Sequence, residues 1–291
     1  MVEDEATIRS TATTYSVSDS DLQPDAALTG ATPIGTTVTA EPLLDPAQGV
    51  PAPALAPPPR SAWAGRLVAL AEVLLCSGLP TQFAVQFAAV TAGIHPWQAE
   101  GVPALAFLAT TQLLDACLLV AIMTALTRAH GESPRTLWRG TRPLLREGGL
   151  GLLLVPAVLA IVALTLSLAT RFAPWLHNVQ HNPFEQLIDS PARAALMVVV
   201  VIVAGGIREE LQRAFLLHRF EHHLGGPWVG VVVLSTAFGA GHYMQGWDAV
   251  VATGAVGAFW AVIYLKRRST IAPIVSHAGF DVLQVLGTAL T

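Results

Sequence analysis

Uncharged apolar residues run along this chain in long blocks separated by short polar links. An α-helix rises ~1.5 Å per residue, so about 20 such residues cross the ~30 Å of hydrocarbon in a bilayer. Seven blocks meet or approach that length, at roughly 67–92, 102–127, 149–170, 194–220, 228–243, 248–265 and 271–290. The fifth is short, and the fourth continues well past its apolar part. The pattern predicts an all-α fold, a polytopic membrane helical bundle of about seven transmembrane helices. No internal repeat is evident, which argues against the inverted-repeat architecture of many transporters.

Residues 1–60 read differently. They are rich in Thr, Ala and Pro, end in "PAPALAPPPR", and offer no periodic apolar face whose burial would offset ordering entropy, so a disordered N-terminal tail is expected there. The opening "MVEDEATIRS" lacks the basic and apolar regions of a cleaved signal peptide. Eight acids against Arg9 and Arg60 put the tail near −6 and leave the remainder near +2.

Composition supports the membrane reading: 53% of residues are hydrophobic, 12% are charged, and the mean hydropathy is +0.54, beyond the range of ordinary soluble domains. Cys76 and Cys117, the only cysteines, fall inside apolar blocks and suggest neither a disulfide framework nor a Cys-based metal site. A lipid bilayer is the implied partner and nucleic acid is not; nothing in the sequence bears on oligomeric state.

Basic residues orient the bundle, because cytoplasmic loops retain Lys and Arg. Arg60 and Arg66 precede the first block, Arg128, Arg135, Arg139, Arg142 and Arg146 fill the second link, Arg219 ends the fourth block, and Lys266, Arg267 and Arg268 close the sixth. The other links carry only Arg171 and Arg193. The expected arrangement is a multi-pass protein of the cell membrane with a cytoplasmic N-terminus. The link 172–193 reads as an amphipathic segment at the outer interface, with His177 and His181 as interfacial polar residues.

Against this background the stretch "REELQR" stands out. If the fourth helix is unbroken, Glu209 lies ~16 Å above its cytoplasmic end, where an isolated charge costs at least ~2.5 kcal/mol. By the same arithmetic His242 lies ~22 Å up its helix, His277 ~10 Å and Asp281 ~16 Å. Glu209 and Arg213, Phe238 and His242, and His277 and Asp281 are each spaced i, i+4, so each pair shares a helix face; Arg213 also reaches Glu210 at i, i+3. A carboxylate with imidazoles around a dry pocket suits water activation, with Glu as general base and the imidazoles as metal ligands or oxyanion donors. The plainer reading makes Glu209, Glu210 and Arg213 an ion-paired helix end, with His242 reaching outward. Glu72 and Asp115, within the first two blocks, would pair across helices or line a cavity, and Arg208 would neutralise the glutamates or grip a substrate carboxylate. His218, His222 and His223 read as a solvated interfacial face.

"EELQR" (Glu209, Glu210, Arg213), "FGAGH" (Phe238, His242) and "HAGFD" (His277, Asp281) together resemble the signature of the CPBP family, the CaaX prenyl proteases and bacteriocin-processing enzymes, which are intramembrane proteases classed as metalloproteases. The family pattern is a double glutamate followed by arginine, then FxxxH, then HxxxN or HxxxD, on successive core helices. Arg213 comes one residue earlier than in the usual EExxxR, and Asp281 stands where many members have Asn; an ionised Asp accepts hydrogen bonds and cannot donate one to an oxyanion.

The resemblance implies three parts, a tail over 1–60, N-terminal transmembrane helices and an interfacial link over 61–190, and a catalytic helical core over 191–291. It implies a peptidase, a hydrolase acting on membrane-anchored protein or peptide substrates. Glu209 would be the base, Glu210 and Arg213 an orienting pair, and Glu209, His242, His277 and Asp281 the ligands of a zinc ion; a metal-free glutamate mechanism stays open. The competing function classes are a transporter relaying protons through the buried charges and a bacteriocin-immunity protein.

Overall fold

The computed structural model describes residues 62–97, 104–180, 182 and 184–290. The predicted tail and His181 lie outside the described residues. Ten α-helices follow in order: α1 Ala62–Leu75, α2 Leu79–Thr91, α3 Leu105–Ala129, α4 Pro134–Trp138, α5 Leu144–Phe172, α6 Pro191–Val200, α7 Glu210–His223, α8 Pro227–Ala240, α9 Trp247–Arg267 and α10 Ile271–Leu290. Among the described residues there is no β-strand.

Four spans are long and apolar enough to cross a membrane: Trp63–Thr91, which runs through α1 and α2, then α3, α5 and α9. The helices α6, α7, α8 and α10 complete the bundle but fall short of that measure, through length or polarity, so these spans do not establish a count of seven. The surface carries large apolar side chains, and charged side chains lie within the apolar interior. Leu145, Leu153, Phe83 and Phe87 point outward, whereas Glu72, Asp115, Glu147, Arg208, Glu210, Arg213, Arg219 and His277 are buried. Outward apolar side chains and inward ion pairs are the arrangement that lipid demands.

Three local details depart from the expected segments. The first block is interrupted at Ser77 and Gly78, where Gly78 adopts φ +92° and starts α2 with a proline in its first turn. The fifth ends at Ala240, so His242 lies just beyond the helix, before the short turn Tyr243–Gln245. The fourth is continuous from Pro191 to His223 but contains a π-helical stretch, Val201–Glu209, between α6 and α7. Wide turns of this kind are uncommon and concentrate at functional sites.

The π stretch docks on α10, and the cause is visible in the sequence. A Cβ added to Gly206 would lie 2.7 Å from the Ala278 Cβ, so the two backbones meet closely only because residue 206 has no side chain. Helix α8 closes on α9 in the same way, since a Cβ on Gly239 would fall 2.4 Å from the Val250 carbonyl oxygen. Helix α5 packs along both α9 and α10. These contacts put the end of the π stretch, the end of α8 and the first half of α10 around one interior volume.

Candidate active site

The site begins where the π stretch becomes α7. Glu209 is the last residue of the former and Glu210 the first of the latter. Glu210 is 1% exposed and pairs with Arg213 one turn on, at i, i+3. The same oxygen, Oε1, accepts a 2.8 Å hydrogen bond from Nδ1 of His277 on α10. Glu209 takes the other direction: its side chain is partly open, and its nearest cation is the Arg208 guanidinium at 3.6 Å. Arg213 thus serves Glu210, and Arg208 serves Glu209.

His277 is the junction of the site. With Nδ1 donating to Glu210, the ring turns Nε2 toward Asp281 Oδ2 at 3.5 Å and Glu209 Oε2 at 3.9 Å. The ring lies flat on Trp260, centroids 3.8 Å apart and planes inclined 21°, and Phe238 meets it edge-on at 6.1 Å. Trp260 is fixed in turn by its indole N–H, which donates to Ser276 Oγ at 2.9 Å. The Arg213 guanidinium lies 4.7 Å from the Phe238 ring centre and 5.5 Å from that of Trp260, so aromatic faces help hold this buried cation. Gly205 makes room for the acid of α10, since a Cβ there would fall 2.6 Å from Asp281 Oδ2.

His242 approaches from the end of α8. Its ring packs edge-on against Phe238 at 4.9 Å, and its Nδ1 donates to the Phe238 carbonyl at 2.8 Å. That bond fixes the tautomer and leaves Nε2 with a free lone pair. Among the described residues His242 makes no polar contact with Glu209, Glu210 or His277, and Phe238 is the bridge between the two imidazoles. Glu209, Glu210, Arg213, His277 and Asp281 are therefore joined directly, and His242 through an aromatic wall.

Several placements sharpen the sequence reading. Asp115, from α3, is fully buried and accepts a 2.6 Å hydrogen bond from Arg208 Nη2, so it holds the arginine that neighbours Glu209. Glu72 pairs with Arg219 Nε at 2.7 Å and with His130 Nε2 at 2.5 Å, and is not part of the glutamate cluster. His177 meets Asp248 of α9 at 2.7 Å. Trp260 and Ser276 are the site neighbours that motif spacing did not pick out; their only signal was an indole donor inside an apolar helix, which needs a buried acceptor.

Two carboxylates converge on His277 Nε2, from Asp281 and from Glu209. The 3.5 and 3.9 Å spacings exceed a hydrogen bond but approach the ~3.3 Å between ligands of one zinc ion bound at ~2.0 to 2.1 Å. Zinc also favours a histidine whose other nitrogen is held by a carboxylate, as Glu210 holds His277. The donor set fits in kind. Because Glu209, His242, His277 and Asp281 do not form a set with all ligand atoms within 4.8 Å of one another, three-point binding needs a side-chain rotation.

No curated protein and no solved structure matches the chain. The stretch that matches a known family is the one that builds this cluster. Residues 191–283, from the start of α6 to just past Asp281, carry a domain matching the family described as Type II CAAX prenyl endopeptidase Rce1-like, an assignment consistent with the CPBP family.

Proposed function

We propose that the protein is an intramembrane endopeptidase that hydrolyses a peptide bond of a membrane-associated protein or peptide with water activated by Glu209. The observation that carries this reading is the double use of Glu210 Oε1, which accepts from Arg213 and from His277 Nδ1. Those two bonds hold the ring so that its Nε2 faces Glu209. A 3.9 Å gap is too long for a direct hydrogen bond and suits a bridging water. Glu209, the less buried of the two glutamates, takes the proton as that water attacks the carbonyl, and then passes it to the leaving amine.

His242 presents a lone pair rather than a proton, because Nδ1–H is committed to the Phe238 carbonyl. This supports a role as acceptor or ligand over one as oxyanion donor. Zinc would be held by His242 Nε2, His277 Nε2 and the carboxylates of Glu209 and Asp281, and when bound would lower the pKa of water and polarise the substrate carbonyl. Glu210 and Arg213 act as the positioning pair, and Asp115 positions Arg208.

The substrates that fit are membrane-tethered peptides such as C-terminal anchors, leader peptides or regulatory precursors. The distribution of basic links supports a cytoplasmic N-terminus. Cleavage of a tethered reporter in proteoliposomes tests the reading. Glu209→Gln and His242→Ala should each lower turnover ~10²- to 10⁴-fold while the proteins still fold, and undiminished cleavage in either folded variant refutes it.

A further inference from the structure

A second donor cluster lies at the other end of α7, away from the glutamates. His218, Glu221 and His222 follow one another as H-x-x-E-H, a spacing of i, i+3 and i+4 that puts all three on one helix face. One ligand atom from each lies within 4.8 Å of the others, and among the described residues this is the one group of three or more that meets that distance. In one class of metallopeptidase the two histidines of an H-x-x-E-H motif hold zinc.

Both rings are already oriented. His218 Nε2 donates to Glu132 Oε1 at 3.0 Å, and His222 Nδ1 donates to the His218 carbonyl at 2.9 Å, which brings the ring centroids to 4.2 Å. Each ring therefore has one nitrogen held by the protein and one left as a donor, the arrangement that outer partners impose on metal-binding histidines. A cavity of about 500 Å³, lined by Glu221, His222, His223, His130 and Arg66 among others, opens beside the cluster and gives an ion and its waters a route in.

One contact opposes occupancy. Both Glu221 oxygens are held by Arg268, at 2.6 and 2.7 Å. Arg268 is half-exposed and sits at φ +52°, so its side chain can swing into solvent when Glu221 turns to an ion.

We propose that His218, Glu221 and His222 form a divalent-cation site of the zinc class, separate from the glutamate cluster, with water from the adjoining cavity completing the coordination. Glu132 positions His218, and Arg268 occupies Glu221 when no ion is bound. Through Glu132 the site ties the end of α7 to the loop before α4. It does not depend on the proposed peptidase activity.

Metal binding to the full-length, detergent-solubilised and chelator-stripped protein is the test, read by zinc calorimetry and by the visible absorption of cobalt. Zinc binding should persist at one equivalent in a His242→Ala/His277→Ala protein, and adding His218→Ala/His222→Ala to that protein should weaken it at least 100-fold. Arg268→Gly, which suits the left-handed backbone there, should tighten binding several-fold, and Glu132→Gln should weaken it ~10-fold. Should the double histidine variant not fold, His222→Asn at the exposed position should still weaken binding ~10-fold and alter the cobalt spectrum. Equal zinc affinity in the His242→Ala/His277→Ala protein with and without either His218/His222 substitution overturns the site, as does loss of all binding in His242→Ala/His277→Ala. Binding unchanged by Arg268→Gly overturns the competing role of Arg268.

Discussion

The buried pair of Glu210 and Arg213 makes a quantitative prediction, because both partners are almost wholly removed from solvent. Breaking such a pair from one side strands a charge and costs ~3 to 5 kcal/mol, whereas removing both costs far less than twice that. Glu210→Gln keeps an oxygen that can accept from His277 Nδ1 and leaves Arg213 against the faces of Phe238 and Trp260. That aromatic support holds the loss to ~3 kcal/mol, at the low end of the range. Arg213→Met strands the carboxylate, whose Oε2 already has no partner among the described residues, and should cost ~3 to 4 kcal/mol. The double variant should also cost ~3 to 4 kcal/mol, about 3 less than the sum of the singles. Reversible unfolding in mixed micelles at fixed detergent gives the four free energies. A double variant whose cost equals the sum of the singles to within ~0.5 kcal/mol would refute the claim that the two charges hold each other.

Three further outcomes follow from the same geometry. Gly206→Ala puts a Cβ 2.7 Å from the Ala278 Cβ; it should destabilise by ~1 to 3 kcal/mol through overpacking and, by moving His277 and Asp281, reduce reporter cleavage more than ten-fold at saturating substrate. Asp115→Asn leaves Arg208 buried beside a neutral partner and should cost ~3 kcal/mol, with a smaller fall in turnover than Glu209→Gln, since it acts on the base only through Arg208. Trp260→Phe removes the indole bond to Ser276 and should cost ~1 to 2 kcal/mol, measured by the same unfolding assay, with cleavage retained within about ten-fold.

The fold was legible where a single physical constraint dominates. Block length against bilayer thickness located α3, α5, α9 and α10 to within a few residues because every backbone group in lipid must be satisfied inside a helix. The break at Gly78 was not legible, since its cause is tertiary: a Cβ at that position would lie 3.3 Å from Arg208 Nη2 and 3.5 Å from Gln212 Nε2. Gln212 also donates to the Cys76 carbonyl at 2.7 Å, so the carbonyl freed by the break finds its partner on α7. Nor does any 3.6-residue pattern announce a π stretch, because Val201–Glu209 widens only where Gly205 and Gly206 meet α10.

The site divides along the same line. Helical spacing predicted the Arg213–Glu210 reach and the His277–Asp281 face, which are contacts within one helix. It could not choose between Glu209 and Glu210 as the partner of Arg213, because both lie within reach along the helix and the choice is made by α10. Once His277 Nδ1 donates to Glu210, that carboxylate is committed to two donors and sealed from water, and the adjacent one, turned ~100° around the helix, is left facing Nε2 with room for a water. Asp115 then becomes intelligible: Arg208 beside Glu209 would otherwise compete for it as a full ion pair, and the 2.6 Å bond from Arg208 to Asp115 draws the guanidinium away to 3.6 Å. The N-terminal helices, which carry none of the three motifs, therefore reach the glutamate cluster through Asp115.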